Sequence, residues 1–254
     1  MSAHEEPVQA LAEVLGSADD VTRRRLLAGV GGAAAAGTLL ARGTFAGDAE
    51  AASAGAVATA SPGETAFEAV AQIDQRGSSL TVSGYCTRVR GLRGRDLFTT
   101  SRGKKSNDPR SQNEGAARLL VFGELLITSV STIDQIVIAV TATGALGVRL
   151  AVDGGADFAT PASFERGRLL AAYAIVAQDQ LSVDGPQRAS VQLTADLRQQ
   201  SAVRQTFGDH RRRFGVAAQP LRLVASGRGV LTDPALPVSQ LLVAGCFTRT
   251  GEPG

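Results

Sequence analysis

Residues Ala117 to Val152 read ARLLVFGELLITSVSTIDQIVIAVTATGALGVRLAV, and this stretch decides the fold. It is rich in Val, Ile, Leu and Thr, which suit a pleated and partly buried surface, and it contains no Pro. Ile133-Asp134 falls where a hairpin turn belongs, so two long antiparallel strands are expected at the centre of an all-β domain. From Leu119 to Ile127 both faces are apolar: Leu119, Val121, Leu125 and Ile127 on one, Leu120, Phe122 and Leu126 on the other. A strand with one wet face alternates cleanly, so this one is expected to be covered twice, by a second sheet, a helix or another subunit. Ile136, Ile138, Val140 and Ala142 line one face of the second strand. Gly144 and Gly147 then mark a bulge or a barrel corner.

The same period-two pattern continues on either side. Phe67, Ala69, Ala71 and Ile73 alternate with Glu68, Gln72 and Asp74, and Val191, Leu193, Ala195 and Leu197 alternate with polar residues. Further strands are expected over 80–89, 169–181, 221–231 and 238–248, which brings the count to about eight. Thr160-Pro161 starts a helix of a turn or two, ended by Gly167. No strand alternates with a long helix, which argues against a parallel α/β sheet. Sequential strands with short turns favour an up-and-down barrel of mostly antiparallel strands, with a two-sheet β-sandwich as the alternative. Similar pentapeptides, Gly84-Tyr85-Cys86-Thr87-Arg88 and Gly245-Cys246-Phe247-Thr248-Arg249, stand near the two ends and favour closure. Residues 90–116 and 208–215 read as basic loops.

Composition excludes several functions. The 254-residue chain is 44% hydrophobic, enough for a core, but only 4% aromatic, with no Trp. That disfavours sugar or nucleobase stacking. Basic residues exceed acidic ones only by 26 to 24, so no strong field steers the chain to nucleic acid, and no nucleic-acid partner is expected. His4 and His210 are the only histidines. One His and two Cys in the main domain do not make a zinc set, and Asp153 and Asp157 lack a calcium-loop pattern, so no metal and no cofactor are expected. His210 lies between Asp209 and Arg211, without a G-x-S-x-G nucleophile motif, and reads as a solvated loop residue.

The N-terminal part is of another kind. An acidic, polar opening is followed by Thr22-Arg23-Arg24-Arg25-Leu26-Leu27, a mildly apolar Ala- and Gly-rich run to Leu40, and Arg42. A basic region, a short apolar run and small-residue sites make a signal peptide, and the run is too short to span a bilayer comfortably. These residues resemble a bacterial twin-arginine (Tat) signal, with Arg23 and Arg24 as the pair. The resemblance covers about residues 1–50. It implies recognition by the Tat export machinery and passage of the folded protein across the inner membrane, to the cell envelope or outside. The chain then divides into the signal (1–50), an Ala/Ser/Gly-rich linker (51–63), one β domain (64–250) and a short tail (251–254).

Few side chains suggest chemistry. Glu124 and Asp179 lie within apolar strands, where a carboxyl group has a raised pKa and serves as acid or base. Tyr85, Phe122, Tyr173 and Gln178 are the candidates for ligand contact. Arg88, Arg90, Arg93 and Arg95, with Arg211, Arg212 and Arg213, would form an anion-binding rim. In an oxidising compartment Cys86 and Cys246 would pair as a disulfide. Three functional classes result. The first is a non-catalytic barrel that holds a small apolar ligand or assembles as a homo-oligomer. The second is a barrel enzyme, by analogy of fold with isomerases or cyclases of the allene oxide cyclase or dirigent kind. The third is a cell-envelope binder of anionic groups through the basic loops.

Overall fold

The computed structural model describes residues 55–99, 112–133, 137–185, 188–207, 210–233 and 238–251. The Tat-like stretch with Arg23 and Arg24 lies outside the described residues, as do Ile136 and most of the basic segment after Thr99. The strands are β1 (Ala56–Val57), β2 (Thr65–Arg76), β3 (Ser79–Val89), β4 (Leu119–Ile133), β5 (Val137–Leu150), β6 (Arg168–Gly185), β7 (Arg188–Ala202), β8 (Arg204–Phe207), β9 (His210–Phe214), β10 (Pro220–Asp233) and β11 (Val238–Arg249).

Eight of them close an antiparallel barrel in the order β10-β11-β2-β3-β4-β5-β6-β7. The sandwich alternative is thereby excluded. Most neighbours in the barrel are also neighbours in sequence. The exceptions are β7 with β10, which brackets the β8–β9 excursion, and β11 with β2, which closes the ring. The two similar pentapeptides lie on β3 and β11, on either side of β2 rather than side by side.

The barrel has two unlike ends. At one, β2 turns into β3 through a two-residue link in which Gly77 has φ +61°, the left-handed conformation that a tight hairpin requires. β4, β6 and β10 end, and β5, β7 and β11 begin, at this same end. The other end carries the long β3–β4 and β5–β6 connections and a separate three-stranded sheet, β1-β9-β8. Two expectations are corrected there. The segment read as linker contributes β1, and Val57 and Ala58 are buried. The segment read as a basic loop contains β9, hydrogen-bonded to β8 and paired parallel to β1. Backbone pairing holds these short strands, which a charged composition does not reveal.

The doubly apolar face of β4 has its cover. A short 3-10 helix, Pro161–Glu165, packs on the outside of β3 and β4, with Phe164 fully buried. Its ring stacks on Phe158 at 5.0 Å, and Tyr85 lies 6.2 Å from both Phe158 and Phe98. The cover is thus the chain's own helix and loops. Gly144 and Gly147 do not break β5. The register shifts fall instead between Ile127 and Ser129 and between Val148 and Arg149.

Candidate functional site

Inward positions of an eight-stranded barrel point at one narrow axis, so their side-chain volumes decide whether the interior is solid or hollow. Here Ala69, Ala71, Ala142, Ala177, Ala225 and Gly245 all point inward. They leave an internal cavity, walled also by Val, Leu and Ile. The cavity has a volume of about 80 Å³, against the ~10–15 Å³ that one water needs. Phe247 forms the cavity floor, stacked on Phe67 with ring centroids 4.0 Å apart. Behind it Phe67 meets Phe214 at 5.5 Å and Tyr173 at 6.4 Å, so an aromatic plug fills the end of the barrel that carries the long connections.

Towards the hairpin end the wall includes Leu80, Val140, Leu181 and two polar side chains, Gln75 and Asp179. Gln75 is engaged: Ser239 Oγ donates to its Oε1 at 2.8 Å, and its Nε2 donates to the Gly77 carbonyl at 3.1 Å. Asp179 differs. Its Oδ1 is buried without a hydrogen-bond partner. Desolvation raises the carboxyl pKa from 3.8 to about 7, opposed only by a hydrogen bond from the Gln180 backbone N–H. Among the described residues Asp179 is therefore the one carboxyl group lining a mainly apolar chamber, with a lone pair free for a ligand's donor, whereas Gln75 is already engaged.

The other expected site residues do not converge on the cavity. Glu124 and Gln178 are exposed on the outer wall, because they have the opposite strand parity to Leu125 and Ala177. Phe122 and Tyr85 also point outward, under the 3-10 helix and its neighbouring loops. Tyr173 points inward but lies in the plug, where burial and the nearby Cys86 push its hydroxyl pKa upward. The disulfide is not formed. Cys86 points into the barrel and is fully buried, and burial raises its thiol pKa to about 12. Cys246 faces outward in a shallow groove with Val70, Thr87, Val224 and Ala244. The two thiols sit on strands either side of β2 and point to opposite faces, which no disulfide geometry bridges.

The basic segments do meet at the long-loop end, where Arg212 Nη1 donates to the Gly91 carbonyl at 2.9 Å. Several members of the expected rim are already engaged. Arg88 pairs with Glu68 at 3.3 Å and Arg90 with Glu64 at 3.0 Å. The Arg93 backbone N–H bonds Asp96 at the start of the short helix Gly94–Leu97. Arg95, Arg211 and Arg213 have no acidic partner among the described residues. Among those residues, no group of three His, Cys, Asp or Glu side chains is placed to hold a metal ion.

No protein-family model, curated protein or solved structure matches the chain.

Proposed function

We propose that this is an exported β-barrel protein that binds a small, mainly apolar ligand in the barrel and does no chemistry on it. The observation that carries the reading is the Ala-lined cavity with a single unpaired carboxyl, Asp179. Apolar walls with a few placed polar groups are the usual make-up of a small-molecule site. The ligand class is an elongated apolar molecule with one hydroxyl or amine, whose N–H or O–H donates to Asp179 Oδ1. Export rests on the similarity of residues 1–50 to a Tat signal, and a cell-envelope or secreted location goes with it. Self-assembly is not part of the reading, because the helix Pro161–Glu165 occupies the face that suggested it.

Native mass spectrometry of the full chain tests this. The expected result is a retained molecule, or uptake of a long-chain alcohol or amine. Ala177→Phe, which fills the cavity beside Asp179, is expected to lose it. A chain that neither retains nor takes up such molecules, or one whose filled variant binds equally well, overturns the reading.

The same carboxyl favours a second reading. A group with a pKa of about 7 is suited to give or take a proton near neutral pH. An isomerase or cyclase would use Asp179 in that way. Conversion of a bound ligand by the wild type, lost in Asp179→Asn with binding kept, would replace the first reading by this one.

A further inference from the structure

The sheet β1-β9-β8 has two unlike faces. Phe214 on β9 is fully buried against Phe67, so the face carrying Arg212 and Phe214 looks towards the barrel. The opposite face carries Arg211 and Arg213. Across the ladder, Arg213 pairs directly with Arg204, and Arg211 with Thr206. Directly paired residues share a face, with Cβ atoms ~4.5–5.5 Å apart, and residues two apart along a strand are separated by ~6.6 Å. Three guanidinium groups therefore share one outward face. Arg204 and Arg211 are exposed and Arg213 is half-buried. None has an acidic partner among the described residues, whereas Arg88, Arg90 and Arg222 each do. Like charges directly opposite in a ladder are destabilising, so the Arg204–Arg213 pair works against the fold unless an outside anion neutralises it.

The shape of the face points to the kind of anion. Among the described residues, these arginines stand on the outer face of a small sheet at the end of the barrel that carries the long connections. Their planar forks match phosphate oxygens. A basic face made of three side chains spread over two strands fits a surface carrying many phosphates. We propose that the outer face of this sheet, through Arg204, Arg211 and Arg213, docks on an anionic phospholipid surface. The barrel then stands end-on, with Asp179 towards the far end. The proposal does not depend on what the cavity holds.

The test is co-sedimentation of the full chain with phosphatidylglycerol-rich vesicles, with phosphatidylcholine vesicles as the neutral reference, at low salt. The key variant is the full chain carrying Arg204→Gln, Arg211→Gln and Arg213→Gln. A basic residue near an anionic surface contributes about fivefold in partitioning, so the triple variant is expected to lose on the order of 100-fold. The single Arg204→Gln is expected to lose about fivefold while relieving the like-charge pair, which keeps the test open should the triple variant fold poorly. A matched triple on the barrel wall, Arg198→Gln, Arg222→Gln and Arg228→Gln, changes net charge equally and is expected to bind within about fivefold of wild type. Because Arg23 to Arg25 are present in every protein, differences between variants report the sheet alone. Equal losses in both triples, or none in the first, overturn the proposal. So does release from vesicles by millimolar inorganic phosphate, which would mean a discrete ion site. A preference for soluble polyphosphate over vesicles at equal phosphate would make the partner a polymer and overturn the membrane assignment.

Discussion

Asp179→Asn removes the proton-binding group from the cavity and keeps its shape. In the folded protein the carboxyl pKa is raised from 3.8 to about 7. At 1.36 kcal/mol per pH unit, that difference of roughly three units corresponds to about 4 kcal/mol. The sign follows from proton counting. Between pH 3.8 and about 7 the folded chain keeps a proton that the unfolded chain has released. Stability from this group is therefore intact below that window, falls as pH rises through it, and is fully lost above it. Asn is neutral throughout. Its buried amide still lacks a partner, at ~1–3 kcal/mol, but that cost does not change with pH. The assay is urea unfolding of wild type and variant at a series of pH values from 4 to 8. The variant-minus-wild-type difference is expected to climb by about 4 kcal/mol across the window. In a domain of this size that corresponds to roughly 8–16 °C in melting temperature. Contributions from other groups, such as Glu64, whose pKa is lowered by its bond to the Ser61 backbone, are common to both proteins and cancel. Parallel curves for the two proteins would refute the burial of the Asp179 carboxyl in the barrel.

Three further outcomes are expected. Under native conditions a maleimide should label Cys246 alone, with Cys86 reacting only after unfolding; a mass two hydrogens light, or two native adducts, would contradict the opposed thiols. Gln199 Nε2 donates to the carbonyls of Phe214 at 2.7 Å and Ser201 at 2.9 Å, so Gln199→Leu should cost about 2–4 kcal/mol. Amide exchange in β9 should rise before that of the barrel; uniform change would show that this bond does not anchor the sheet. Arg23→Lys with Arg24→Lys should leave unexported precursor in the cytoplasm of a host with a Tat system, measured by cell fractionation, and normal export would remove the signal assignment.

Much of the barrel was legible because a strand covered on one side writes its burial into alternate residues. β7 is the clearest case: Val191, Leu193, Ala195 and Leu197 are buried, and every residue between them is exposed. Eight such segments with tight links admit few arrangements, and closure is the one that leaves no open edge. The small sheet was illegible for the converse reason. His210-Arg211-Arg212-Arg213-Phe214 has arginine on both faces, and from Arg211 to Phe214 only Phe214 is buried in a core. Its strand character comes from partners distant in sequence: Arg213 N–H bonds Gly55 O at 3.0 Å and Gly215 N–H bonds Val57 O at 2.7 Å. Gly215 is also required there, since at φ +71° a Cβ would run into the Gln199 side chain. Neither the pairing nor that collision is encoded locally.

The two candidate carboxylates show why the site was harder to read than the fold. Both lie in apolar strands, and parity alone separates them. Asp179 shares its parity with Tyr173, Ile175, Ala177 and Leu181, whereas Val176 on the other face is 49% exposed, so the inward face of β6 can be read from its own sequence. β4 defeats the same argument. Leu120 is 1% exposed although it faces outward, because the loops and the helix Pro161–Glu165 cover it. Both faces then look like core, and Glu124 appears as well placed as Asp179. What resolves them is a contact from about forty residues downstream, a distance over which no periodicity carries information. The hollow itself follows a different rule. A strand pattern records which residues point inward, but a cavity depends on the summed volumes of inward residues on different strands, such as Ala71, Ala142, Ala177 and Ala225. Each of those alanines is unremarkable in its own strand. Only the closed register places them around one axis, and among the described residues the same register leaves the Asp179 carboxyl unpaired beside them.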